Sequence, residues 1–140
     1  MTATKRTYSS LGTEDKARLI ASWIVDKQGE DVIALDLRGK KMATEAVIIA
    51  TARGVRHCQA LADHLLGSCG RDNLEFLGME GYQAGQWILL DMNDVVAHLF
   101  LEEVRMHYNL EGLWADAAAL FRQAPAMTRA DGRDAEGASR

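Results

Sequence analysis

The most constraining feature of this sequence is the segment 78–100, which reads as a strand followed by a β-hairpin. Residues 87–92 and 95–100 are rich in β-branched, aromatic and other apolar side chains, as expected of strands. The pair Asn93-Asp94 between them is typical of a tight turn. The segment therefore predicts a hairpin around which the other elements are arranged.

The first hairpin strand is apolar on both of its sides. Side chains alternate along a strand, so Ile88 and Leu90 share one side while Trp87 and Leu89 share the other. Such a strand needs cover on both sides, either from its own helices or from another chain. We therefore expect surplus apolar surface at the hairpin.

Hydrophobic periodicity predicts the remaining elements. In chain order they are a helix from Thr13 that ends at Gly29, strands at 31–37 and 46–51, a helix at 53–68, a strand at 74–79, the hairpin strands, a short helix with the stripe Leu101, Val104 and Tyr108, and a last short helix at 113–121. The order αββαβββαα predicts an α/β fold with a single mixed five-stranded sheet and flanking helices. Two long helices are expected to leave the second face of that sheet incompletely covered.

The domain organisation follows from length and composition. A chain of 140 residues is long enough to bury roughly 68–70% of its unfolded surface as one domain. We expect a loose N-terminal leader at 1–12, a single α/β domain at 13–121, and a disordered tail at 122–140, which lacks an apolar stripe. No apolar run approaches the ~20 residues of a membrane span, and the N-terminus lacks an apolar signal core, which predicts a cytoplasmic protein.

The net charge of −4 bears on the kind of partner. Proteins that grip phosphate backbones usually carry a basic patch, and dense basic positions are few here, so direct nucleic-acid binding is disfavoured. An acidic surface suits a basic partner. Around Trp87, the residues Glu80, Asp91 and Asp94 form a predicted acidic rim.

Motifs for catalysis or cofactor binding are incomplete. The run 51–55 follows a strand and opens a helix, as an anion site would, but its single glycine favours an ordinary turn. The four histidines lack zinc-ligand spacing, and no serine lies in a nucleophile motif. Cys58 and Cys69 are too far apart on one helix for a disulfide and are interpreted as reduced, buried thiols. We therefore predict no catalytic residue, metal or cofactor.

Trp87 admits two interpretations. Large aromatic residues are usually mostly buried, so it can be a core residue of the sheet. Tryptophan is also enriched at interface hot spots, and the apolar hairpin favours an exposed anchor. Trp23 and Trp114 fall on helical stripes and are interpreted as packing residues.

A set of short motifs, matching in order and spacing, runs from about Thr13 to Ala117. They are 31–37, Arg56-His57, 62–64, Glu80-Gly81, Trp87, Leu90-Asp91, 94–98, Glu102-Glu103, Arg105, Tyr108 and 110–114. With these motifs the chain resembles the ribosomal silencing factor family, also called iojap-like proteins. The run 51–55 departs from the Thr-Gly-Thr-Ser-Ser-like run that is usual in the family.

This resemblance implies a fold and a function. The fold is a mixed five-stranded sheet akin to that of nucleotidyltransferases, without their catalytic motif. The function is translational repression: members dock on protein fourteen of the large ribosomal subunit and block the joining of the small and large subunits. Members also tend to form homodimers. The position that matches the family's contact tryptophan is Trp87, and the neighbouring positions carried over with it are Leu89, Asp91, Met79 and Glu80.

Two other functions are compatible with the residues. A nucleotidyltransferase-like enzyme would need an acidic metal pair after a Gly-Ser turn, and Asp36 is the nearest candidate, without that turn. Alternatively, the apolar face serves only self-association, buried against a second copy in a two-fold dimer.

Overall fold

A six-stranded mixed sheet forms the centre of the computed structural model, which describes residues 8–124. The elements are α1 (Thr13–Asp26), β1 (Glu30–Asp36), β2 (Ala46–Ala52), α2 (Val55–Arg71), β3 (Gly78–Glu80), β4 (Trp87–Asp91), β5 (Val95–Leu101), α3 (Glu102–Tyr108), a 3-10 helix (Leu110–Trp114) and β6 (Ala119–Arg122). The strands lie in the order β3-β4-β5-β2-β1-β6, and β2 runs parallel to β5 while the other neighbours are antiparallel. The predicted mixed sheet is confirmed, but it has six strands rather than five.

The end of the fold differs from the prediction of a last helix at 113–121. That segment completes the 3-10 helix and then forms β6, which pairs antiparallel with β1. The Gln123 side chain accepts the Val32 N–H, and the Gln123 N–H donates to the Val32 carbonyl, which extends the pairing. The free edge of β1 satisfies the backbone of this short segment, whereas a helix of that length would be marginal.

The predicted terminal segments are described only in part. At the N-terminus, Ser9 donates its N–H to the Asn73 carbonyl. At the C-terminus, β6 reaches Arg122, the first residue of the predicted tail. The rest of the predicted leader and tail lies outside residues 8–124.

Helices α1 and α2 cover one face of the sheet. The predicted stripe of α1 is confirmed, because Ile20 and Ile24 are fully buried and Trp23 is 6% exposed. From β4, the side chains of Ile88 and Leu90 point into the same core and are inaccessible to solvent. Within residues 8–124 no helix is long and apolar enough to cross a membrane.

The second face is covered over only part of its width. A smaller apolar cluster lies under α3 and the 3-10 helix, and its buried members are Ile33, Leu35, Leu37, Val47, Ile49 and Phe100. Trp114 packs against this cluster, as predicted. This cover does not extend to the β3 edge of the sheet. The solvent exposure of the β4 side chains therefore alternates: Ile88 and Leu90 are buried, whereas Trp87, Leu89 and Asp91 are half-buried. The expectation of incomplete cover is therefore met at β4.

The start of α2 is tied to the end of α1 by His57. The Arg53 N–H donates to His57 Nδ1 at 2.9 Å, and His57 Nε2 lies 2.9 Å from the Lys27 carbonyl oxygen. Because Nδ1 accepts, the ring proton is on Nε2, which donates to that carbonyl. The His57 ring thus accepts the Arg53 N–H just before α2 and links this turn to the end of α1.

The two cysteines are free and buried, as predicted. Burial raises the pKa of the Cys58 thiol to about 11 and that of the Cys69 thiol to about 11. Both therefore remain protonated at neutral pH, which suits packing residues rather than nucleophiles.

Ser68 offers a test of the core under α2. Its hydroxyl is buried and has no hydrogen-bond partner among the residues that the structure describes. A desolvated hydroxyl without a partner is costly, so Ser68→Ala is expected to raise the free energy of unfolding by about 1 kcal/mol. Urea unfolding followed by circular dichroism measures this change.

Ser22→Ala is the matched control for that substitution. It makes the same exchange in α1, but there the hydroxyl donates to the Leu19 carbonyl at 2.6 Å. The control therefore has the same gain in helix propensity and loses a hydrogen bond. A Ser68→Ala protein no more stable than the Ser22→Ala protein would contradict the prediction.

Candidate functional site

The partly uncovered surface at β3, β4 and β5 is the candidate site. We call it the open face and define it by the half-buried or exposed residues Glu80, Trp87, Leu89, Asp91 and Val96. The register pairs Glu80 with Leu89 and Asp91 with Val96. Directly opposed residues share one face of a sheet, so these side chains lie together.

Four of the five residues carried over from the family resemblance therefore meet on the open face. Met79 does not, because it pairs with Leu90 and packs against the core under the helices. Alternation along β3 separates it from Glu80, its immediate neighbour. The structure thus places Met79 on the opposite side of the sheet from Trp87.

Trp87 belongs to a cluster of four rings. Its ring centroid lies 4.8 Å from that of Phe100, 5.0 Å from that of Tyr108 and 6.0 Å from that of His98. The indole Nε1–H donates to His98 Nδ1 at 3.0 Å. Trp87 is half-buried, so both interpretations hold in part: the ring packs on the sheet and still presents surface to solvent.

His98 holds the indole in place from beneath. It is 8% exposed, and this burial lowers its pKa from 6.5 to about 4. At neutral pH the ring is therefore uncharged, with its proton on Nε2, because Nδ1 accepts the bond from Trp87. The hydrogen bond and the ring contacts together restrict the rotation of the tryptophan side chain.

A tight loop sets the position at which β4 begins. Gly81 has φ +85°, and a Cβ there would collide with the Trp87 carbonyl oxygen, so only glycine fits. The loop is also attached to α2, because Gln59 Nε2 donates to the Tyr82 carbonyl at 2.8 Å. Trp87 therefore starts from a fixed backbone position.

The hairpin turn at the other end of β4 is held by a buried lysine. Lys16 is 6% exposed, and its ammonium donates to the Met92 carbonyl at 2.8 Å and to the Asp94 carboxylate. Asp94 is thus ion-paired within the protein. Of the predicted acidic rim, Glu80 and Asp91 remain as the carboxylates of the open face.

A pocket beside Trp87 was not anticipated from the sequence. It lies between the start of β4 and α3, has a volume of about 360 Å³, and is lined in part by Trp87, Glu103, Val104 and Tyr108. Glu103 and Tyr108 are members of the motifs that carry the family resemblance, but no spacing rule places them next to Trp87. That neighbourhood results from the packing of α3 against the sheet.

Groups suited to metal chemistry do not converge in the described part of the chain. Within residues 8–124 no three His, Cys, Asp or Glu side chains are arranged to hold a metal ion. Asp36 is instead bound by Arg38, whose Nε and Nη2 donate to its two carboxylate oxygens at 2.9 and 2.8 Å. These bonds lower the pKa of Asp36 to about 2.

Comparisons with known proteins agree with this architecture. The family model described as "Ribosomal silencing factor during starvation" matches residues 10–140. The proteins named "Ribosomal silencing factor RsfS" of Halalkalibacterium halodurans and Bacillus subtilis are 32% and 33% identical to this chain, and the matches cover 76% and 71% of it and 92% and 85% of those proteins. A crystal structure of a protein from Chromobacterium violaceum, 29% identical, superposes with a TM-score of 0.73 over 83% of this chain and 92% of that one. This chain belongs to the ribosomal silencing factor family.

Proposed function

We propose that this protein docks on the large ribosomal subunit in the cytoplasm and prevents the small subunit from joining it. The observation that carries the proposal is the open face, where a half-buried tryptophan and Leu89 leave apolar surface uncovered. Tryptophan is the residue type most enriched at interface hot spots. The names of the relatives associate the family with ribosome silencing.

The partner on the large subunit is ribosomal protein fourteen, as the family resemblance implies. Glu80 and Asp91 lie next to the apolar centre of the open face, and the chain carries a net charge of −4. Charges of this sign steer a basic protein towards the face and fix its orientation. The apolar centre then supplies most of the affinity.

The proposed mechanism is steric and needs no chemical step. A bound domain occupies space that the small subunit requires, so repression depends on binding alone. The fold would resemble a nucleotidyltransferase without its catalytic residues, and the pairing of Asp36 with Arg38 supports that reading. Isothermal titration with ATP and magnesium is therefore expected to give no binding heat, and clear micromolar binding would contradict the non-catalytic proposal.

Self-association is a second use of the same face. A two-fold dimer would cover the apolar surface when no ribosome is present. Sizing the protein over a range of concentrations, with and without large subunits, tests this. Under the proposal, large subunits convert dimers into ribosome-bound monomers, and dimers that persist on the ribosome would contradict a shared face.

Sedimentation with purified subunits tests the main proposal. The protein is expected to co-sediment with large subunits and not with small ones. Added before the subunits are mixed, it is expected to reduce the fraction of joined ribosomes in proportion to its occupancy. Protein that stays at the top of the gradient would overturn docking, and full occupancy with normal joining would overturn the steric mechanism.

A further inference from the structure

The pocket beside Trp87 combines aromatic walls with a carboxylate. Trp87 and Tyr108 contribute rings whose centroids lie 5.0 Å apart, and Glu103 lines the same pocket. Tyr108 is 57% exposed, so the pocket opens to solvent at the border of the open face. A docking partner that covers Trp87 would therefore also reach this pocket.

The carboxylate of Glu103 has no cationic partner in the described part of the chain. By contrast, Glu111, which follows α3, is neutralised by a bidentate pair with Arg105. The residues that line the pocket include neither lysine nor arginine, and the His107 ring in its lining packs edge-on against Tyr108 rather than pairing with Glu103. The negative charge of Glu103 is therefore available to an incoming group.

The aromatic rings and the carboxylate of this pocket together favour a positively charged occupant. A lysine or arginine group over the face of an aromatic ring is attracted by the ring quadrupole, and arginine also stacks on it. The adjacent carboxylate adds a charge-assisted hydrogen bond. An apolar occupant would instead desolvate Glu103 without compensation, which is unfavourable.

We propose that this pocket receives a basic side chain of the docking partner, with Glu103 as its ion-pair acceptor and Trp87 and Tyr108 as its aromatic walls. The inference rests on the proposed docking function and specifies a contact within it. It adds α3 to an interface that otherwise consists of strand residues, and it assigns a role in recognition to Glu103 and Tyr108.

Glu102 and Glu103 provide a matched pair for the test. Both are exposed and lie in the first turn of α3, where they interact equally with the helix dipole. Only Glu103 lines this pocket, whereas Glu102 lines two other cavities, one of which Glu103 also borders. Glutamine at either position removes one charge and nearly preserves shape.

Binding of each full-length variant to purified large subunits is measured by co-sedimentation titration. Glu103→Gln is expected to weaken binding roughly fivefold to tenfold, with a shallower dependence on salt, as for a contact between opposite charges. Glu102→Gln is expected to stay within about twofold of the unmodified protein, since rim charges away from the contact contribute little. Equal losses in both variants would overturn the inference.

The aromatic walls are tested at Tyr108. Tyr108→Phe keeps the ring and is expected to bind like the unmodified protein, whereas Tyr108→Leu is expected to bind several-fold more weakly. Circular dichroism melts confirm that each variant is folded at the assay temperature. Full binding by Tyr108→Leu would overturn the cation–π contact.

The two proposals fail in different ways. If the unmodified protein does not co-sediment, the docking function itself is wrong. If it binds and Glu103→Gln binds equally well, docking stands and the pocket inference is wrong. A Glu103→Gln change that alters dimerisation but not ribosome binding would assign the pocket to a second copy and likewise overturn the inference.

Discussion

Replacement of Trp87 by alanine is expected to weaken binding to the large subunit by about 2–4 kcal/mol, or roughly 30-fold to 700-fold. The indole presents surface at the centre of the open face, and its orientation is set by the Phe100 ring and the hydrogen bond to His98. An anchor that is already oriented loses little side-chain entropy on binding. Co-sedimentation titration at constant salt measures the change in affinity.

The packing of Trp87 makes a stability control necessary. Because its ring contacts Phe100 and Tyr108, Trp87→Ala also removes folding energy. Trp23 lies on the buried side of α1, in the core on the other face of the sheet. Trp23→Phe therefore provides a protein of reduced stability with an unchanged open face. Binding is compared at a temperature at which urea unfolding shows both variants to be folded. Wild-type affinity in a folded Trp87→Ala variant would remove the proposed anchor.

Acidification is expected to destabilise the protein through His98 by about 2–3 kcal/mol between pH 7.5 and pH 4.5. Burial lowers the pKa of this histidine from 6.5 in the unfolded chain to about 4 in the fold. Between these values the unfolded state binds a proton that the folded state excludes, so stability falls as pH falls through this window. Protonation would also place an imidazolium N–H against the indole N–H of Trp87.

His98→Phe isolates this contribution, because it keeps a ring in the cluster and removes the titrating group. Urea unfolding of both proteins at several pH values from 7.5 to 4.5 gives two curves, and their difference cancels the titration of other residues. Between pH 7.5 and pH 4.5, the free energy of unfolding is expected to fall by about 2–3 kcal/mol less in the His98→Phe protein than in the wild-type protein. His64→Gln is the control: the pKa of His64 is also lowered by burial, but this side chain is only half-buried. Parallel curves for the wild-type and His98→Phe proteins would contradict the prediction.

The residues that sequence reasoning located correctly are those whose signal is local. The stripe of Ile20, Trp23 and Ile24 predicts a buried helix face because a helix repeats every 3.6 residues. Two apolar runs and a polar turn predict the hairpin, and Asn93 in that turn has a positive φ of 75°. Each of these patterns is complete within about fifteen residues of sequence.

The features that the sequence did not locate depend on distant parts of the chain. β6 is a strand because β1, more than eighty residues earlier, offers a free edge. Met79 and Glu80 lie on opposite faces because pairing with β4 decides the register, and a shift of one residue would exchange them. The charge of Asp94 is compensated by Lys16 across 78 positions of sequence.

The types of most elements and the apolar character of the hairpin are therefore readable from local sequence, because periodicity and turn chemistry act between near neighbours. Which side chains share the open face, and the position of Glu103 and Tyr108 beside Trp87, follow instead from the three-dimensional packing of the chain. Those outcomes depend on strand register and on the docking of α3. Both are set by contacts between segments that are remote in the chain and close in the fold.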